Sequence, residues 1–257
     1  MSEINVSENT CKNCNHTFTK QYCNGCGQKN ASRITNAHLI HEVMHAVLHA
    51  DMGIFPFIKR LVLSPGILAK EYIDGKRKIF NPIQFLVLSV GFVILLMTLT
   101  HFYESIEMLQ EKTLTDTSPN MKAMQEKLKG FQSFIQKNGN IIILILMPIF
   151  AFFGKLLFKK HDNNYAEHLM ISVFAVSLSN LLTLIMLICS YFIGFNLTTI
   201  LVATFCTTVG SFCLTYKQFY KINFITAFWK SITVYLLTMF VQIAISAIIS
   251  SCILLFA

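Results

Sequence analysis

Charge is what this chain has least of. Only 13% of its 257 residues are Asp, Glu, Lys or Arg, about half the share of an average soluble domain. Residues 169–216 contain no Asp, Glu, Lys, Arg or His, and nothing after Lys230 is charged. A run that long is excluded from any soluble core element. Gly194-Phe195-Asn196 is a turn signal that divides it into two apolar pieces. Each can cross a ~30 Å hydrocarbon layer at ~1.5 Å per residue. In lipid every backbone N–H and C=O must be satisfied within the segment, so the run predicts a hairpin of two membrane-crossing helices.

Other absences narrow the chemistry. The first ten residues have neither a basic n-region nor an apolar h-region, which predicts no signal peptide and a cytosolic N-terminus. No Gly-rich phosphate loop, nucleophile elbow or paired-carboxylate motif occurs. The last three apolar runs hold no ionisable residue in their interiors, and pumps, coupled transporters and intramembrane metalloproteases generally need one there. What they hold is neutral: Ser172, Ser177, Ser179 and Asn180, then Thr204, Thr207, Thr208 and Ser211, then Gln242, Ser246, Ser250 and Ser251. Such residues bond helix to helix more often than they bind a substrate. Cys189, Cys206, Cys213 and Cys252 stand alone in apolar runs and read as small buried hydrophobes. No catalytic residue is assigned, and the chain reads as a non-enzyme.

The other four cysteines are paired. Cys11-Lys-Asn-Cys14 and Cys23-Asn-Gly-Cys26 are two CxxC pairs, able to bring four thiolates to a tetrahedral ion. After a polar tail at residues 1–10, expected to be disordered, residues 11–30 therefore predict a zinc ribbon with structural Zn2+ on Cys11, Cys14, Cys23 and Cys26. A redox dithiol or disulfide pair is the competing reading. The residue after each second cysteine favours positive φ, and Asn15 and Gly27 stand there. Residues 16–22 alternate enough for a short hairpin, with Phe18 and Tyr22 over the metal. No Arg and aromatic surface accompanies the ribbon, which argues against a nucleic-acid partner.

Residues 36–81 predict interfacial helices. In residues 36–50, His38, His41, Glu42, His45 and His49 share one narrow face at 100° per residue, opposite Leu39, Ile40, Val43, Met44, Val47 and Leu48. His41-Glu42-Val-Met-His45 matches the H-E-x-x-H pattern of zinc proteases, but no extended pattern follows. The plain reading is a helix lying on the membrane, the second a metal or pH-sensing stripe, the third a hydrolase. Phe55, Phe57, Ile58, Leu61, Val62 and Leu63 predict a half-buried helix ended by Ser64-Pro65-Gly66. Another helix follows over residues 67–73, and then Lys76-Arg77-Lys78 just before Asn81-Pro82. A basic triplet there is an orientation signal, with anionic headgroups as a second use.

This order of motifs resembles a known family. Tyr22-Cys23-x-x-Cys26-Gly27-Gln28, the histidine-bearing segment, Ser64-Pro65-Gly66, Glu71-Tyr72-Ile73-x-Gly75-Lys76-Arg77 and Asn81-Pro82 look like domain of unknown function 3667, a family of bacterial multipass membrane proteins common in Bacteroidetes. The resemblance covers roughly the first 90 residues; beyond them only the pattern of spans agrees. It implies a zinc-ribbon head on a helical membrane body, with no assigned activity.

The membrane domain is expected over residues 82–257, with five spans at about 82–103, 140–158, 169–193, 197–216 and 231–256. Pro148 kinks the second, and Trp229 and Lys230 anchor the start of the fifth. Residues 104–139 balance five acids with five lysines and predict an extracytoplasmic helical hairpin. Lysines collect before the first span and in the second and fourth loops, which places the N-terminus inside and the C-terminus outside an inner membrane. The expected whole is an all-α integral membrane protein, a five-helix bundle carrying a small ribbon and interfacial helices. Its partners would be the bilayer and a cytosolic protein, with a metal-dependent surface hydrolase or a small-molecule or lipid transporter as alternatives. Nothing in the residues speaks to oligomeric state.

Overall fold

The computed structural model describes residues 9–30, 35, 53–100, 102, 130–131 and 139–256. The expected helix over residues 36–50, with His38, His41, Glu42, His45 and His49, lies outside them, as does nearly all of the 104–139 hairpin. Two short strands, β1 (Asn9–Thr10) and β2 (Thr17–Phe18), pair antiparallel, Asn9 opposite Phe18. The helices are α1 (Ile54–Leu63), α2 (Pro65–Ile73), α3 (Pro82–Leu99), α4 (Gly139–Leu157), α5 (Tyr165–Ile193), α6 (Leu197–Tyr220) and α7 (Phe224–Phe256).

This is a helical membrane body. Four helices are long and apolar enough to cross a bilayer: Pro82–Leu99, Tyr165–Ile193, Leu197–Tyr220 and Phe224–Cys252. The fifth expected crossing, in α4, has a described apolar part of only Leu144–Leu157, shorter than these four. Large apolar side chains stand exposed along the outer faces, among them Phe92 and Leu95 of α3, Ile188 and Phe192 of α5, and Phe240 and Ile243 of α7. A water-soluble monomer does not carry apolar surface on that scale.

α5 is the centre. It packs against α3, α4 and α6, while α7 lies outside against α4 and α6. Met170, Ile171, Phe174 and Ser177 of α5 have no exposure. An aromatic group ties the short helices to it: the Phe57 ring centroid lies 5.0 Å from Phe85 and 6.3 Å from Phe174, and Tyr72 lies 5.9 Å from Phe174. α1 and α2 therefore belong to the core at one end of the bundle. Polar side chains within the spans also meet across helices. Asn180 Nδ2 donates to Ser89 Oγ at 3.1 Å, and the Ser179 and Thr208 hydroxyls meet at 3.0 Å. Thr204, Thr207, Thr208 and Ser251 also donate to carbonyls of their own helices.

Several boundaries differ from expectation, each for a local reason. α1 ends at Ser64 as expected, but α2 opens at Pro65 rather than at residue 67, because proline at the first helical position loses no bond and has its φ preset. The space for Gly66 is decided by α6. A Cβ there would sit 2.2 Å from the Thr215 carbonyl oxygen and 2.6 Å from the Phe219 nitrogen. The Gln218 amide completes the joint, accepting from Gly66 N–H at 3.0 Å and donating to the Leu63 carbonyl at 3.2 Å. α5 begins four residues early, at Tyr165, because Asn164 and Glu167 form a reciprocal capping box. α7 starts at Phe224 rather than Ser231. Lys230 is thus inside the helix, donating to the Leu157 carbonyl at 2.8 Å with its ammonium 4.0 Å from the Phe158 ring centroid. Of the four lone cysteines only Cys213 is buried; Cys189, Cys206 and Cys252 are exposed on faces that lipid would cover.

Candidate metal centre

Each CxxC pair folds as a knuckle. Cys11 N–H donates to the His16 carbonyl at 2.9 Å and Asn15 N–H to the Cys11 carbonyl at 2.9 Å. The second knuckle repeats this, with Cys23 N–H to Gln28 O and Gly27 N–H to Cys23 O, both at 2.8 Å. The turns close only if the residue after the second cysteine is left-handed, and Asn15 (φ 60) and Gly27 (φ 74) are. β1 pairs with β2 across the first knuckle, so Asn9 and Thr10 are part of this unit and not of a tail. A single Tyr22–Lys29 bridge brackets the second. Phe18 is buried against Cys11 and Cys23, but Tyr22 is 52% exposed and is not part of the cluster around the cysteines.

All four Sγ atoms lie within 4.8 Å of one another, with Cys11–Cys26 and Cys14–Cys23 both at 3.6 Å. Bonds of ~2.3 Å from a tetrahedral zinc would set sulfurs about 3.8 Å apart, close to the two 3.6 Å separations, so the tetrad is spaced to gather around such an ion. The thiols also polarise one another. Cys26 is pulled down to about 6, first by its hydrogen bond from the Gln28 backbone. At Cys14 the His16 backbone bond acts downward too, but loss of water and the neighbouring sulfurs outweigh it and push the thiol up to about 12. Four cysteines this close could hold a metal ion, whose positive charge would offset that of the thiolates it binds.

The unit is fastened to the helical body through Gln28. Its Nε2 donates to the Gly75 carbonyl at 2.6 Å, and its Oε1 accepts from Arg77 N–H at 3.2 Å. Lys78 Nζ donates to the Cys26 carbonyl at 2.5 Å. The loop that receives these bonds is held in turn by Glu71, which pairs with the Arg60 guanidinium and lies 3.5 Å from Lys76 Nζ. Gly75, at φ 105, supplies a backbone turn that other residues rarely adopt. Burial acts to raise the Glu71 pKa, but Arg60 and Lys76 outweigh it and hold the carboxyl below its ordinary range. A folded pKa below the unfolded one means stability present at neutral pH and lost as pH falls through the folded value. Glu71→Gln is therefore expected to lower the thermal midpoint at pH 7, and the difference to shrink as pH falls from the ordinary carboxyl range through the lowered folded-state value. Melting curves in detergent across that range check it.

The structure brings Cys11, Cys14, Cys23 and Cys26 together. Lys76, Arg77 and Lys78 each have a protein partner: Glu71 for Lys76, Gln28 and the Tyr72 ring (5.7 Å) for Arg77, and the Cys26 carbonyl for Lys78. Arg60 and Gln218 were not singled out from sequence, and Gln28 was named only as part of a motif, with no role. Gln28 directly follows Cys26-Gly27, a signal that could have marked it. Gln218, a lone amide near the end of a long helix, carries no such signal.

The family model described as Protein of unknown function (DUF3667) matches residues 51–94. That span holds α1, α2, the Glu71–Lys78 loop and the first part of α3, and it stops short of the cysteines. No curated protein and no solved structure gives a significant match.

Proposed function

We propose that this chain is a multipass membrane protein that holds a zinc-ribbon head against its own membrane body as a cytosolic docking platform. Zn2+ on Cys11, Cys14, Cys23 and Cys26 organises the head. The basic Lys76–Lys78 loop lies beside it, the histidine-bearing segment of residues 36–50 would add to the platform, and a protein partner or anionic headgroups would be received there. On this reading the body crosses an inner membrane five times, with α4 as a full crossing and residues 104–139 outside. No catalytic group is assigned to the metal, because four thiolates leave no open coordination position.

One observation carries the reading. Gln28, two residues after the last cysteine, spans both the Gly75 carbonyl and the Arg77 N–H, so the head has a defined seat on the body. A head that acted only as a folded tether would need no such seat. Removing a buried amide with two backbone partners costs about 1–3 kcal/mol. Gln28→Ala is expected to keep the metal, speed amide exchange at Arg77, and release the proteins that co-purify with tagged full-length protein from native membranes. Unchanged co-purification after Cys23→Ser and Cys26→Ser, in folded protein that still reaches the membrane, would sink the proposal.

A further inference from the structure

The corner between α4 and α5 has a groove of about 470 Å3 whose wall includes Phe152, Lys155, Leu156 and Lys159. These positions follow i, i+3, i+4, i+7 and so lie on one face of α4 and the turn that ends it. Phe152 and Leu156 are 56% and 43% exposed. The wall is thus apolar toward the middle of α4 and cationic toward its end. His161 and Tyr165 line the opposite side, and Tyr165 is fixed by donating its hydroxyl to the Pro148 carbonyl at 3.0 Å.

No Asp or Glu is among the residues that line this groove, and Asp162, which stands between His161 and Asn163, is already engaged. Glu167, nearby in the chain, is buried and engaged, its Oε2 accepting from Asn163 Nδ2 and Asn164 N–H at 3.0 Å each. Among the described residues neither Lys155 nor Lys159 has a hydrogen bond or a carboxylate partner. Positive field also arrives from outside: the His161 pKa is lowered first by burial, then by the ammonium groups of Lys230 and Lys70. His161 is therefore a neutral N–H donor at physiological pH.

An amphiphile with one negative end fits this order of groups. From the charge complementarity and the exposed apolar wall we infer that the groove seats an anionic phospholipid, its phosphate on Lys155 and Lys159 and an acyl chain along Phe152 and Leu156. Free phosphate would have no use for two exposed apolar side chains beside its site. A zwitterionic lipid would bring a cation toward two unpaired ammonium groups. The site is separate from the cysteine-bearing head and does not depend on the metal.

The test uses the full-length protein in a neutral detergent, titrated with phosphatidylglycerol or with phosphatidylcholine of the same chains and read by native mass spectrometry. Wild type is expected to prefer the anionic lipid. Lys155→Gln with Lys159→Gln should weaken it about 30-fold and leave phosphatidylcholine unchanged, while Lys155→Arg with Lys159→Arg should retain it. Leu156→Glu, which places a like charge in the apolar wall, should give a comparable loss and serves if the glutamine pair does not fold. Equal binding of the two lipids would overturn the inference. So would wild-type affinity in the glutamine pair, or displacement of the lipid by excess inorganic phosphate.

Discussion

Replacing Cys23 and Cys26 together with Ser is expected to empty the metal site and unfold residues 11–30 while the helical body stays assembled. The physical reason is the size of the head's core. Its buried cluster is Cys11, Phe18 and Cys23, with Cys26 packed against it, so three of the four members are the proposed ligands themselves. A unit that small has too little apolar area to fold alone and depends on the ion. Structural zinc supplies on the order of 10 kcal/mol in comparable units. Elemental analysis should find close to one zinc per chain in wild type and none in the double variant. Amide exchange should become fast across the knuckles and at Arg77, whose N–H bonds to Gln28. The melting of the body should change little, because α5 and its neighbours share no core with the cysteines.

Gly66→Ala is expected to have the second-largest effect, and on the other half of the molecule. The new methyl would meet backbone atoms of α6 at 2.2 and 2.6 Å, and backbone cannot swing aside as a side chain can. α2 must lift away, which also breaks both bonds of the Gln218 amide. A cost of about 3 kcal/mol or more follows. Gly91→Ala in α3 is the matched control. A Cβ there meets nothing within 4 Å, so alanine should be neutral or gain up to about 1 kcal/mol from helix propensity. Thermal melting of both variants in one detergent checks the pair. A Gly66→Ala protein that melts with wild type would mean that α2 does not sit on α6 as described.

What could be read from the residues alone was whatever depends on local chemistry. CxxC spacing foretold the tetrad, and the needs of a knuckle turn foretold positive φ at Asn15 and Gly27. Absence of charge foretold the α5–α6 hairpin around Gly194, to within a few residues. What could not be read depends on partners distant in the chain. That the joint at Ser64-Pro65-Gly66 packs on α6 could not be foreseen, since its partner Gln218 lies 152 positions away. Asn180 looked like any polar residue in a span until Ser89 on α3 gave it a partner. The groove on α4 was seen only as a basic loop, because its apolar half lies one turn back in the helix. The start of α7 was missed because Phe224–Lys230 carries a lysine and a tryptophan, residues that mark an interface as readily as a helix interior.

Paired reporters at the two ends of the chain test the central claim most directly: one fused before Asn9, the other after Phe256, read in intact cells for cytosolic or external exposure. An N-terminal reporter inside and a C-terminal reporter outside is the expected result, matching five crossings with the cysteine-bearing head in the cytosol. Both reporters on one side would contradict it, and would make α4 a helix that does not cross.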